Sequence, residues 1–415
     1  MVAKIKQADW SSFVFVFLAG VFLGVSFFKV PPTIPMLMEY FQTDVGTAGW
    51  MMSVCSIAGT IVAIPAGAIQ SKLGPKNTLL VALGWTILSI IIGVFSPNIE
   101  VFMLSQFIGG LGNGFIAVAA PTLITVMFKD PARRGLPNSI WACWTAAGSL
   151  IMFNGASLIA TSFGTWQSVW WASLIAVVII TVLAAVGIRV DKAEAQTVAA
   201  GSAQIKLSKG FTSPYGIILM VLFFCFAFGY AVWAALAPTF MQMVAGMDMP
   251  TANALASITT ITGIIGSLTM GVILNKVRNQ PLVLVVCFIL AGITMCLELV
   301  FDTVPLMIMM AILCGLLLNI CPPALFSNVP HASPDPSVMG AIFGLLAVGA
   351  NLGGIPAANT VGAIVDATQG NWAMGTIPLA IIAVLGIILS IVFYKGTVKK
   401  ALSVKSDGQN EATSD

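Results

Sequence analysis

Charge is scarce in this sequence: Asp, Glu, Lys and Arg make up 8% of 415 residues, with one histidine. A soluble domain carries about a quarter of its residues as charges, so a water-soluble fold is excluded. With His331 alone and seven cysteines that form no CxxC pair, the chain assembles no metal-binding pattern. The cysteines (Cys55, Cys143, Cys225, Cys287, Cys296, Cys314, Cys321) all fall in apolar stretches and read as small packing residues, not as disulfide halves. No nucleophile stands with a histidine base, and no phosphate loop is present, so neither an enzyme nor a cofactor is expected. Carboxylates are also missing from the middle of every apolar stretch: Glu39 closes the first, and Glu298 lies near the end of the ninth.

What is there instead is hydrophobic: 58% of residues, with a mean hydropathy of +1.00. Apolar segments of about 20 residues, enough to cross about 30 Å of hydrocarbon as helices, recur twelve times. They span 13 to 38, 46 to 69, 78 to 96, 101 to 128, 139 to 162, 168 to 189, 214 to 241, 252 to 274, 282 to 301, 304 to 328, 338 to 363 and 373 to 394. The first is longer than the apolar core of a signal peptide, so it is expected to stay as a helix. Every Lys and Arg but Lys29 falls in a terminal segment or in every second loop, while Asp44, Glu100, Asp248, Asp302 and Asp366 mark the loops between. By the bias of basic residues toward the cytoplasm, the chain is a multi-pass protein of the cytoplasmic membrane with both termini inside. Its partner is the lipid bilayer; the net charge of +3 follows from this bias and implies no nucleic acid. Trp50, Trp166, Trp170, Trp171 and Trp372, near outer ends, read as an interfacial belt.

The polar stretch 191–211 divides the helices six from six. It implies an N-terminal bundle (1–190), a linker (191–211), a C-terminal bundle (212–396) and a tail (397–415). The two halves also align. Gly67 and Lys72 fall 204 residues before Gly271 and Lys276, Pro35 lies 203 before Pro238, and Gly110 lies 205 before Gly315. One nearly constant offset points to an internal duplication.

With these residues the chain resembles the major facilitator superfamily, and the resemblance implies an all-α membrane protein of twelve helices in two pseudo-symmetric six-helix bundles around a cavity with alternating access. Its local marker is the turn Gly67, Ser71, Lys72, Gly74, Lys76, repeated as Gly271, Asn275, Lys276. Ser71 stands where the family carries an acid that latches the cytoplasmic gate. Gln106 replaces the arginine that many members place before Gly110, Gly112 and Gly114, which argues against the common proton-driven drug exporters.

The charge inside the membrane is the functional lead. Lys29 lies about 24 Å along the first helix at 1.5 Å per residue, where a charge costs roughly 3 kcal/mol or more. Either it snorkels outward or it binds an anion in the cavity. A basic residue at this depth before Pro35 is similar to the arrangement in organophosphate exchangers and in cyanate- and nitroimidazole-type carriers. Ser26 and Thr33 share its face with Val25 and Pro32, and Pro31–Pro32 should bend the helix just beyond it. Tyr230 and Trp233, beside the duplicate position Val232, supply an aromatic wall, and Asn154 and Asn351 supply amides. Gly110-x-x-x-Gly114, Gly340-x-x-x-Gly344 and Gly349-x-x-x-Gly353 form close-packing faces. The expected activity is movement of a small, carboxylate-like organic anion. A coupling proton, carried by Glu298, Glu39 or the substrate, or a counter-anion is the expected partner. Export of neutral or hydrophobic compounds and solute sensing without transport are the alternatives.

Overall fold

In the computed structural model, which describes residues 9–128, 135–191, 211–333 and 336–412, every regular element is helical. Twelve segments are long and apolar enough to cross a membrane, and all twelve expected spans are among them. The first span is broken: α1 (Trp10–Phe27) and α2 (Ile34–Phe41) are joined by a turn and one 3₁₀ turn at Pro31–Thr33. Then follow α3 (Val45–Leu73), α4 (Pro75–Val94), α5 (Ile99–Met127), short α6 (Gly135–Ala142), α7 (Trp144–Phe163) and α8 (Gln167–Gly187). The later helices are α9 (Pro214–Ala245), α10 (Met249–Lys276), α11 (Gln280–Leu297), α12 (Val304–Leu313), α13 (Cys321–Ser327), α14 (Val329–Ala332), α15 (Pro336–Ala367) and α16 (Thr376–Ala412). A π-helical turn, Cys314–Leu318, continues α12.

Helix ends follow local chemistry. Side chains of Asp9, Asp44, Asn98 and Asn279 accept the backbone N–H of Ser12, Thr47, Val101 and Leu282, satisfying donors that the first turn leaves unpaired. The bonds from Thr47 hold the exposed Asp44 carboxyl below its ordinary value of 3.8. Gly74, at φ 80°, ends α3 and opens α4, a conformation that only glycine adopts without strain.

Close contacts divide the chain into two compact units. The first holds Met1–Gln204 together with Ala234–Thr260 and Ile355–Gly370; the second holds Ile205–Trp233, Ile261–Gly354 and Asn371–Asp415. This partition differs from a cut at the linker, because one end of α9, α10 and α15 packs with the first six spans. Residues 192–210 of that linker lie outside the described residues, as do the basic positions Lys4, Lys6, Lys129, Arg133 and Arg134.

Inside the first unit α5 packs on α3 and α4, and α1 on α7 and α8. Glycines set the spacing: a Cβ at Gly110 would run into the Cys55 carbonyl, one at Gly114 into Val62, and one at Gly148 would come within 2.7 Å of the Gly24 backbone. In the second unit Gly349 and Gly353 sit on the carbonyls of Met220 and Phe224.

Two expectations are corrected. Trp166, Trp170 and Trp372 are buried, so only Trp50 and Trp171 of the five tryptophans are exposed as a belt requires. Neighbours on a helix point about 100° apart, which is how Trp170 turns inward while Trp171 faces out. Cys143 is exposed at the break between α6 and α7 and is not a packing residue.

Candidate functional site

Proline dictates the break in the first span. Pro31 and Pro32 carry no N–H, so the carbonyls of Phe27 and Phe28 lose their helical partners and α1 stops at Phe27. Local side chains take over. The Thr33 hydroxyl donates to the carbonyls of Lys29 (2.9 Å) and Val30 (3.0 Å). Lys29 folds its ammonium back to donate to the Ser26 carbonyl (2.6 Å) and hydroxyl (3.2 Å). A cation on the last carbonyls of a helix is stabilised by the helix dipole.

Lys29 does not snorkel: it is 2% exposed, and its Nζ lies 5.1 Å from the centre of the fully buried Trp170 ring. A desolvated cation over an indole face gains up to about 2 kcal/mol. Among the described residues no carboxylate pairs with Lys29, and Cys55 is the one titratable group acting on it. Around the ammonium lies a cavity of about 10 Å³, lined by Ser26, Cys55, Thr86, Ser89, Gln106 and Asn113 among others. That is the room of a single water molecule. Of the lining groups, Asn113 donates weakly to Cys55 Sγ (3.5 Å) and its Oδ1 has no partner. Buried polar atoms are nearly always paired, so this pocket is unusual in holding both an unbalanced charge and an idle acceptor.

The sequence-derived residues divide. Lys29 and Ser26 meet; Thr33 spends its hydroxyl on backbone. Asn154 is exposed and donates to the Leu150 carbonyl of its own helix, and Asn351 does the same to Ala347. Tyr230 and Trp233 belong to the second unit, where Tyr230 stacks on Phe226 at 5.8 Å and Trp233 is 1% exposed. In the glycine-marked turns, Gly67 and Gly271 face open space and Ser71 donates to Ala68. Lys72 and Lys276 close the last turns of their helices, and Asn275 is exposed. Lys76 crosses to α8 and caps the carbonyls of Ala185 and Ile188, both at 2.7 Å.

Sequence reading missed a cluster at the end of the first unit marked by residues 42–44. Asp366, near the end of α15, accepts the first N–H groups of α3, from Val45 (3.2 Å) and Gly46 (2.6 Å). A carboxylate at a helix N-terminus is favourably placed for both hydrogen bonding and dipole. Backbones touch beside it, since a Cβ at Gly49 would lie 2.5 Å from the Asn359 nitrogen and one at Gly362 2.6 Å from the Val45 carbonyl. The buried Asn253 of α10 donates to Ser157 of α7 (2.6 Å) and to the Pro32 carbonyl (3.3 Å). This is a latch of few bonds. Asp366→Ala leaves two N–H groups without their charged acceptor, about 1–3 kcal/mol. Amide exchange at Val45 and Gly46 is therefore expected to quicken about tenfold or more; unchanged exchange counts against the latch.

A family model for the Major Facilitator Superfamily matches residues 16–358. The chain belongs to that superfamily. Its twelve-span, all-helical fold agrees with this membership. Among curated proteins, the galactose-proton symporter of Escherichia coli (strain K12) is 25% identical over 171 residues, 41% of this chain and 36% of that protein. The uncharacterized transporter YceJ of Bacillus subtilis is 26% identical over 170 residues (40% and 43%), and the drug efflux pump JefA of Mycobacterium tuberculosis 23% over 168 (40% and 32%). The match thus spans less than half the length of each of these proteins.

Proposed function

We propose that the chain is a secondary transporter that moves a small, carboxylate-like organic anion across the cytoplasmic membrane by alternating access, with Lys29 as the electrostatic anchor. One observation carries this reading: a fully buried lysine, on a broken membrane span, with no carboxylate partner among the described residues. Intramembrane charges are expensive, and interrupted helices are where carriers bind their cargo. In the latched conformation the pocket is closed down to about 10 Å³, so cargo enters only once the 28–33 turn and the latch have moved. The lysine-bearing loops face the cytoplasm in this reading, and the Asp366 latch is the gate on the far side. The turns at Gly67, Ser71, Lys72, Gly74 and Lys76 and at Gly271, Asn275 and Lys276 serve the opposite gate. Asn154, Asn351, Tyr230 and Trp233 are assigned to the pathway walls.

A second reading, a carrier of neutral or hydrophobic compounds, draws on the same geometry. The Lys29 ammonium already caps its own helix in a cavity of one-water size, and one similar protein is named a drug efflux pump. Melting of the purified protein separates the two. Carboxylates at about 100 times their dissociation constant stabilise the protein by about 2.7 kcal/mol and raise its melting temperature, and Lys29→Gln removes that rise. A rise that survives in the variant, or one given by neutral compounds alone, favours the second reading.

A further inference from the structure

The first unit carries a charged groove that neither the lysine pocket nor the latch uses. It measures about 440 Å³, a volume typical of small-molecule sites, and lies between the α3–α4 turn and the end of α8. Among the described residues three cations line it: Lys72 and Lys76 from the turn, and Arg189 just past α8. The two segments that supply them, 72–77 and 186–190, hold no acid, and Asp191 follows next along the chain. Lys76 fixes the two sides together, since its ammonium reaches the carbonyls of Ala185 and Ile188 (both 2.7 Å). Arg189 is exposed, and its backbone is held by its N–H to the Ser12 hydroxyl (3.1 Å). Like charges gathered on one wall repel, and an anion seated among them relieves that. Phosphate suits the set, because it takes paired N–H bonds from a guanidinium and single ones from an ammonium.

The position of the groove says which phosphate. It opens where the spans end, for one begins at Pro75 and another closes at Gly187. Along α8, Ile175, Val178, Ile179, Val182, Leu183 and Val186 are all exposed, at the spacing of a single helix face. In a membrane span such a face looks onto hydrocarbon chains. Val186 ends this row, is 70% exposed, and also lines the groove; Leu73, exposed as well, lines it from α3. The cations therefore stand at the head of a row of lipid-facing aliphatic side chains, which matches an amphiphile with an anionic head and apolar tails. A soluble phosphate would use the first part of this surface and leave the second idle. Basic pockets between membrane helices seat anionic headgroups in this way.

We propose that the groove binds the headgroup phosphate of an anionic phospholipid, with Arg189 and Lys72 on the phosphate and an acyl chain lying along α8. Seated there, the lipid joins the α3–α4 turn to the end of α8, beside the link that Lys76 makes.

Native mass spectrometry of the full-length protein in detergent tests this without knowledge of the cargo. The protein is titrated with phosphatidylglycerol, with phosphatidylcholine, and with phosphatidylglycerol against inorganic phosphate. Phosphatidylglycerol is expected to bind ahead of phosphatidylcholine, and Lys72→Gln combined with Arg189→Gln to weaken it about tenfold or more. Lys395→Gln removes an exposed charge from α16, in the second unit, and is expected to leave binding as it is. Should the glutamine pair misfold, Arg189→Gln alone and the wild-type preference between the two phospholipids still decide. Equal binding of the two phospholipids overturns the proposal. So does unchanged binding in the glutamine variants, or an equal loss in Lys395→Gln, which marks attraction to the protein's overall charge. Inorganic phosphate that displaces the lipid at equal concentration marks a soluble-phosphate site and overturns the lipid assignment.

Discussion

Lys29→Gln is expected to abolish uptake, by about a hundredfold or more, while the protein melts at the same temperature as the wild type or higher. The two halves of that expectation come from different physics. A buried cation without a carboxylate partner is a net burden on the fold, because desolvation costs several kcal/mol, and the Ser26 carbonyl and the Trp170 ring return only part of it. A neutral amide of similar length keeps a donor for the Ser26 carbonyl and sheds the desolvation cost. Transport loses far more, since the full charge–charge attraction to an anion in a low-dielectric pocket disappears. Paired assays on one preparation, melting by intrinsic fluorescence and uptake into vesicles, read both. If the variant melts far below the wild type, Lys29 is a structural cap and its loss of activity is secondary.

Gly110→Val is expected to yield almost no folded protein. The missing Cβ of Gly110 is what lets α5 lie against α3, with the Cys55 carbonyl and the Ala58 methyl occupying that space. Overpacking usually costs about 1–3 kcal/mol when side chains can yield. Here the obstacle is backbone, in a helix itself pressed by Gly59 against Gly114, so no rotamer change relieves it. A cost at or above the top of that range removes a large part of a stability of about 5–15 kcal/mol. It also spreads α3 from α5 and so opens the Lys29 pocket, which both helices line. Gly84→Ala is the control: nothing lies within 4 Å of a Cβ there, and a helical glycine replaced by alanine gains a few tenths to one kcal/mol. Fluorescence-detected gel filtration of solubilised membranes gives the folded yield of each. Equal monodisperse peaks for Gly110→Val and the wild type contradict the packing account.

The sequence made the architecture legible because hydrocarbon thickness leaves few options: twelve apolar runs of the right length become twelve spans. The break in the first span was legible too, since two consecutive prolines remove two backbone donors wherever they fall. Lys29 stood out because a charge in such a run is costly, and snorkelling was the one bland explanation for it. What surrounds it did not. Cys55, Ser89 and Asn113 line the lysine's pocket from three other helices, and their meeting depends on how α3, α4 and α5 rotate about their axes, which glycine contacts decide. Trp170 shows a recoverable miss, because its pairing with Trp171 required one of the two rings to face inward. Asp366 looked like an ordinary loop acid, 321 residues from Val45 in the chain. Nothing local records that a carboxylate so distant caps the start of α3.

The central claim is that Lys29 selects an anion, and uptake into proteoliposomes tests it most directly. Wild type and Lys29→Gln are offered, side by side, a labelled panel of small carboxylates, inorganic anions, neutral solutes and cations. The account predicts that one or more carboxylates accumulate in wild-type vesicles alone, and that neutral solutes and cations stay outside. Equal accumulation of a neutral or cationic solute by both proteins contradicts it and makes Lys29 a structural residue of a different carrier.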